Sequence, residues 1–206
     1  MEFDSPQTLL FDLGGVLIDI DFGRALQAWH TQSRLSLDEL TRAFSFDELY
    51  ERHERGEIAA AEYFEHLANV LELENNHSLI AEGWNSIYIG EIAETTALVK
   101  AARSNIPCYA FTNTNAAHMS TWTVMFPEVV AVFDGIFASH ELGLRKPEQE
   151  AFACVADAIG VSPRSIVFFD DLAENVRAAT ATGFQAVLVE CPADVRNALV
   201  AFGCAH

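Results

Sequence analysis

Short apolar runs alternate with longer stretches of helical periodicity along this chain. Residues 8–12 (TLLFD) form an apolar run that predicts a short buried strand. It breaks at Gly14-Gly15, and a second apolar stretch, Val16 to Ile18, follows. From about 22 to 104 the pattern is helical almost throughout. Ser36-x-x-Glu39 and Ser45-x-x-Glu48 both read as capping boxes, which divide this region into several short helices. Gly56 is expected to end one of them. The next begins at Ala59 and reaches Leu73, with Tyr63, Phe64, Leu67, Val70 and Leu71 on one face. No strand is predicted between 19 and 104.

After Asn105 the rhythm changes. Strands are predicted over 107–112, 135–139, 165–170 and 185–189. Pro147 is expected in the first turn of a helix ending near Gly160. Another helix runs to about Gly183, and a closing one starts near Pro192. Apolar strands alternating with helices imply an α/β, Rossmann-like parallel sheet with helices on both faces. Residues 1–18 and 100–206 would form this core. The helical block 19–99 reads as an inserted α-helical cap after the first strand. Such a cap would cover the sheet's carboxyl edge, where open α/β sheets place their ligands.

Composition narrows the function classes. The 206 residues carry 12 Lys+Arg against 30 Asp+Glu, a formal net charge of −18. That charge repels phosphodiester backbones and anionic lipid, so neither nucleic acid nor a membrane surface is an expected partner. No apolar run approaches the roughly 20 residues of a membrane span. The first residues lack the basic and long apolar regions of a signal peptide. Cys108, Cys154, Cys191 and Cys204 are scattered without a C-x-x-C, which suits reduced thiols of a cytoplasmic protein. Oligomeric state is not legible.

Four predicted strand or loop ends carry polar residues that would converge at the carboxyl edge: Asp12, Thr112-Asn113, Lys146 and Asp170-Asp171. Each has a structural alternative. Asp12 can start a turn, Thr112 can cap a helix, Lys146 can be exposed, and Asp171 with Glu174 can form a capping pair. Together they fit one reaction. A carboxylate ending a buried strand can attack phosphorus and form an aspartyl-phosphate. Two further carboxylates can help it hold Mg²⁺, a hard cation that prefers oxygen. Lys146 would neutralise the nucleophile and the transferring oxygens, while Thr112 and a backbone N–H would hydrogen-bond the phosphoryl group.

These residues resemble the four motifs of the haloacid dehalogenase-like hydrolases, in order: 11–16 (FDLGGV), 111–113 (FTN), 145–147 (RKP) and 168–171 (FFDD). The resemblance implies a Rossmann-like core with a cap inserted after the first strand. It implies Asp12 as nucleophile, Mg²⁺ on Asp12, the carbonyl of Gly14 and Asp171, Asp170 acting through water, and Asn175 supporting the acidic loop. The segments 11–22 (FDLGGVLIDIDF), 53–58 (HERGEI), 112–115 (TNTN), 142–148 (LGLRKPE) and 168–175 (FFDDLAEN) are similar to small bacterial phosphatases acting on α-D-glucose 1-phosphate. That likeness implies a small sugar phosphate as substrate, with Thr112, Asn113, Lys146, His53 and Glu54 binding it.

One position departs from the family's pattern. Most phosphatases of the superfamily carry a second Asp two residues after the nucleophile, and here that residue is Gly14. Losing a general acid/base costs about 10²–10⁴-fold in rate. Either the leaving group needs little protonation, as an anomeric hydroxyl acidified by the ring oxygen does, or His53 or Glu54 supplies the proton. Two other functions compete. A 2-haloacid dehalogenase would use the same aspartate, but the Asp170-Asp171 pair would hinder a departing halide. A non-catalytic protein binding a phosphorylated metabolite would tolerate Gly14, but has no need of Asp12, Thr112, Lys146 and Asp171 together. Elsewhere, Trp84 is expected in the core, Asp19 and Asp21 at a hinge or helix start, and His118, His140 and His206 show no metal-ligand spacing. Gly14→Asp is expected to broaden the range of alcohol phosphates hydrolysed. A substrate panel showing no broadening, with Mg²⁺ affinity intact, would count against this.

Overall fold

Residue-by-residue alternation in the apolar strands sends their side chains to two faces, and each face carries its own core. The computed structural model describes residues 5–74 and 76–204; His206 lies outside them. Strands β1 (Thr8–Phe11), β2 (Ile18–Ile20), β3 (Tyr88–Glu91), β4 (Cys108–Thr112), β5 (Gly135–Ala138), β6 (Ile166–Asp170) and β7 (Gln185–Leu188) form two sheets. The larger is parallel, in the order β5-β4-β1-β6-β7. Helices α1 (Phe22–His30), α2 (Leu37–Ala43), α3 (Glu48–Glu54), α4 (Ala60–Val70) and α5 (His77–Asn85) lie between the two ribbon strands β2 and β3. Helices α6 (Ala93–Ala102), α7 (Ala116–Met125), α8 (Pro127–Ala131), α9 (Ser139–Leu142), α10 (Gln149–Ile159), α11 (Ala173–Ala181) and α12 (Pro192–Ala201) follow.

Leu10, Phe111 and Phe168 pack on α10 and α11 through Phe152, Val155 and Ala179. Leu9, Phe11, Val167 and Phe169 face the other way, where Val99 of α6 and Val195 and Leu199 of α12 cover them. The Phe11 and Phe169 rings stack at 4.5 Å. This second core continues without a break into the helical block, down to Trp29, Tyr63 and Trp84. The parallel sheet with helices on both faces is the architecture that the sequence predicts. Among the described residues, no helix is long and apolar enough to cross a membrane.

Several local expectations are corrected. A strand does occur between 19 and 104: β3 pairs antiparallel with β2, with an irregularity at Asp19/Ile20. Its burial alternates, but the residue types do not follow it: Ile89 is apolar yet exposed, and the half-buried position is Gly90, so the sequence carries no period to detect. The capping box at Ser36 and Glu39 forms. The one at Ser45 does not, because Asp47 accepts the Tyr50 N–H at 2.9 Å and starts α3 there. Val70 is exposed, not on the buried face of α4. Pro147 precedes its helix: the Glu148 N–H donates to the Arg145 carbonyl at 2.9 Å, and this turn delays α10 to Gln149.

Trp29 and Trp84 are buried, with their rings parallel at 6.3 Å, and Trp29 donates to the Ile80 carbonyl at 3.1 Å. Gly83 makes this packing possible, since a Cβ there would run into the Trp29 indole. Gly83→Ala is therefore expected to destabilise the fold by about 1–3 kcal/mol despite the better helix former. Urea unfolding should show a lower midpoint at unchanged slope.

Candidate active site

The strand order places a topological switch at β1. The chain leaves β4 on one side for β5 and then returns on the other as β6. Asp12, Thr112 and Asp170 sit at or just beyond the carboxyl ends of β1, β4 and β6. The turn 145–148 brings Lys146 between them. Its ammonium lies 2.8 Å from Asp12 Oδ1 and 2.7 Å from Asp170 Oδ2, and all three side chains are buried. Phe111 and Phe168 present their rings at 5.4 Å from the same nitrogen. Asn113 fixes the turn rather than projecting freely. It donates to the Lys146 carbonyl and accepts the Lys146 N–H, each at 2.8 Å.

The two acidic residues of β6 differ in their bonds. Asp170 accepts from Lys146, from Asn175 Nδ2 at 2.9 and 3.1 Å, and from the Leu172 N–H at 2.8 Å. The capping alternative for Asp171 is not realised, since α11 has no side-chain cap. Asp171 instead lines the cavity. Carboxylate oxygens of Asp12, Asp170 and Asp171 lie within 4.8 Å of one another, a spacing that could hold a metal ion. Burial, offset by Lys146 but reinforced by Asp170 and Asp171, pushes the Asp12 carboxyl up to about 7. Burial and Asp170 also raise Asp171. Burial alone would lower Lys146, yet the carboxylates of Asp12 and Asp170 hold it above the usual lysine range. Three carboxylates thus face one ammonium.

A cavity of about 560 Å³ opens from this cluster towards α3 and the β2–β3 ribbon. Thr112, Asn113, Lys146, Gly14 and Glu54 line it; His53 does not. His53 is buried, stacked on Tyr63 at 4.8 Å, with Nδ1 3.4 Å from the Ile58 carbonyl and Nε2 making no hydrogen bond. Glu54 accepts from Tyr50 Oη and from Arg145 Nε, each at 2.8 Å. Burial raises its carboxyl in spite of Arg145 and Tyr50. Trp84 is buried in the core and stacks on His118 at 4.5 Å. Burial lowers His118 to about 3, so its ring is neutral. Asp21 caps α1 by accepting the Gly23 N–H at 2.7 Å.

Other residues of the site escaped the sequence reading. Gly15 has φ +71°, and a Cβ there would collide with the Asp171 carboxyl, so glycine lets that group approach the β1–β2 turn. Above Gly14, Ile20 Cδ1 lies 2.9 Å from where a Cβ would stand. Arg145, next to Lys146 in the motif, binds Glu54 and reaches Glu51 at 3.4 Å, while Arg55 pairs with Glu148. Phe22, Phe46, Tyr50 and Tyr88 form apolar walls. Nothing in their local sequence marks them, because α1, α3 and the ribbon meet only in the fold.

Comparison with known proteins agrees with this arrangement. Residues 6–183 match the family model described as haloacid dehalogenase-like hydrolase. A D-ribitol-5-phosphate phosphatase of Bacteroides thetaiotaomicron is 25% identical, covering 94% of this chain and 96% of that one. A sesquiterpene phosphatase of Aspergillus oryzae is 29% identical over 84% of this chain and 85% of its own. A solved HAD-family enzyme of Bacteroides thetaiotaomicron, an aspartate-to-alanine mutant in complex with magnesium and inorganic phosphate, is 26% identical with a TM-score of 0.79. It covers 88% of this chain and 92% of that one. With its strand-end carboxylates, buried lysine and matched sequence, this chain belongs to the haloacid dehalogenase-like hydrolases.

Proposed function

We propose that this chain is a Mg²⁺-dependent phosphomonoesterase that acts on a small phosphorylated metabolite through an aspartyl-phosphate. The observation that carries the reading is the carboxylate of Asp12, held by Lys146 at the floor of a cavity and faced by two further carboxylates. Asp12 attacks phosphorus, and the ester P–O bond breaks with its electron pair leaving on the alcohol oxygen. Water then attacks the phosphorus of the aspartyl-phosphate, which releases phosphate and restores Asp12. Lys146 favours the charged form of Asp12 against the effect of burial and stabilises the transferring oxygens, and Thr112 hydrogen-bonds the phosphoryl group. Asp12, Asp171 and the Gly14 carbonyl would hold Mg²⁺, with Asp170 acting through water. When bound, Mg²⁺ supplies the positive charge that screens the nucleophile from the phosphate oxygens.

Charge favours this reading over its competitors. Two further carboxylates beside the nucleophile would oppose a departing halide. They leave the metal-free site with more negative charge than Lys146 balances, a cost that a divalent cation removes. Gly14 restricts the leaving group to one that departs with little protonation. An anomeric sugar phosphate such as glucose 1-phosphate meets that requirement, and so does any ester of a comparably acidic hydroxyl. One relative is named for a pentitol phosphate and another for a sesquiterpene. The body of the substrate therefore depends on each chain's own cavity walls.

Phosphate release from a panel of monoesters should require Mg²⁺, stop with EDTA, and fall by at least about 10³-fold in Asp12→Asn. Release that persists in EDTA or in Asp12→Asn would sink the proposal. A second prediction follows from the raised Asp12 carboxyl. A carboxyl raised in the folded state stabilises the fold below its unfolded value, near 3.8, and this contribution is lost as pH rises through about 7. Metal-free Asp12→Asn should therefore be more stable than the parent at about pH 8, by roughly 1–3 kcal/mol. The gap should close near pH 4 and narrow on adding Mg²⁺. Equal thermal midpoints at pH 8 would contradict the charge argument.

A further inference from the structure

We propose that the substrate carries its phosphate on a compact apolar body bearing an acidic hydroxyl, an aryl phosphate rather than a polyol phosphate. The inference rests on the phosphatase reading and names its substrate class. Away from Asp12 and Lys146, the cavity is walled by Ile20, Phe22, Phe46, Tyr50, Ile87 and Tyr88. The Phe22 and Phe46 rings meet edge to face at 5.1 Å, and Phe46 lies 4.8 Å from Tyr50, so three rings form one continuous surface. At the mouth, Phe46 is 57% exposed and Leu172 49% exposed, apolar groups that an apolar ligand would cover.

Apart from the Tyr88 hydroxyl and Glu174, which also line the cavity, the polar groups at this end are engaged with one another. Both Glu54 oxygens are taken, one by Tyr50 and one by Arg145. Arg145 also faces Glu51. His118 uses Nδ1 with Asn115 and Nε2 with the Trp84 carbonyl. Asn113 spends its amide on the Lys146 backbone. A polyol buried here would bring several hydroxyls to a wall with few open partners, and each one left unmatched weakens binding.

The leaving-group side agrees. Ile20 Cδ1 occupies the space over Gly14, so hydrocarbon and not a proton donor stands two residues from the nucleophile. An oxygen leaving into such surroundings departs most readily as a stabilised anion. Phenoxide is one, and its ring matches the aromatic wall. The P–O bond would break with the electron pair on the phenolic oxygen, which takes its proton from solvent afterwards.

The test compares phenyl phosphate, cyclohexyl phosphate and glucose 1-phosphate with the Mg²⁺-loaded protein. Phenyl phosphate is expected to exceed glucose 1-phosphate at least tenfold in kcat/KM. Cyclohexyl phosphate should share the KM of phenyl phosphate but turn over about 10²-fold or more slowly, because its alkoxide needs a proton. Phe46→Ser, at a position 57% exposed, should raise the KM for phenyl phosphate about three- to tenfold while inhibition by inorganic phosphate stays the same. Calorimetry of phenyl phosphate binding to Asp12→Asn should show a negative heat-capacity change. That readout stands apart from turnover, so failure of the wall is distinguishable from failure of the phosphatase reading. Glucose 1-phosphate preferred or equal, an unchanged KM in Phe46→Ser, or tighter binding of glucose 1-phosphate to Asp12→Asn would each overturn the inference.

Discussion

An ammonium buried between two carboxylates organises this protein. Lys146 reaches Asp12 at 2.8 Å and Asp170 at 2.7 Å with almost no solvent contact. Removing three charged groups from water costs several kcal/mol per ion before any attraction is counted. The cost is offset because nearly every oxygen has a partner: Asn175 and the Leu172 N–H serve Asp170, and the Leu13 N–H donates to Asp12 at 2.7 Å. A hydrocarbon core of the same volume would be no less stable. The cluster is thus better understood as chemistry held in place than as a source of stability.

The sheet supplies the holding. Parallel pairing of β1 with β4 and β6 sets three strand ends side by side, and the apolar residues below them are packed on both faces. The helical block is joined to the same point. Its core is continuous with one face of the sheet. Its α3 carboxylates Glu51 and Glu54 grip Arg145, the residue beside Lys146, while Arg55 grips Glu148 two residues further on. The turn that carries the lysine is therefore fixed from below by Asn113 and from above by α3. A shift of α3 would be felt at the nucleophile through this turn.

How much was legible depends on how local each signal is. The strands of the large sheet are apolar runs between polar turns, and their positions follow from the sequence within a residue or two. Strand β3 was not legible, because an apolar Ile89 stands at an exposed position and Gly90 at an inward one, which leaves no period to read. The box at Ser36 was legible and the one at Ser45 misled, since Asp47 offers a stronger oxygen acceptor two residues on. Pro147 looked like a helix start, but the Arg145–Glu148 turn intervenes.

The amino-acid sequence by itself determined the chemistry: four polar strand or loop ends in a fixed order, a glycine where a second aspartate is usual, and an acidic surplus. Those signals are local in the chain, so they survive without the fold. The tertiary structure decided what surrounds them. It placed Ile20 over Gly14, sent Asn113 to the Lys146 backbone, turned His53 away from the cavity and Glu54 towards Arg145, and brought Phe22, Phe46 and Tyr50 together as one wall. These contacts join residues far apart in sequence, or depend on which way a helix faces. No run of neighbouring residues encodes them, and only packing could settle them.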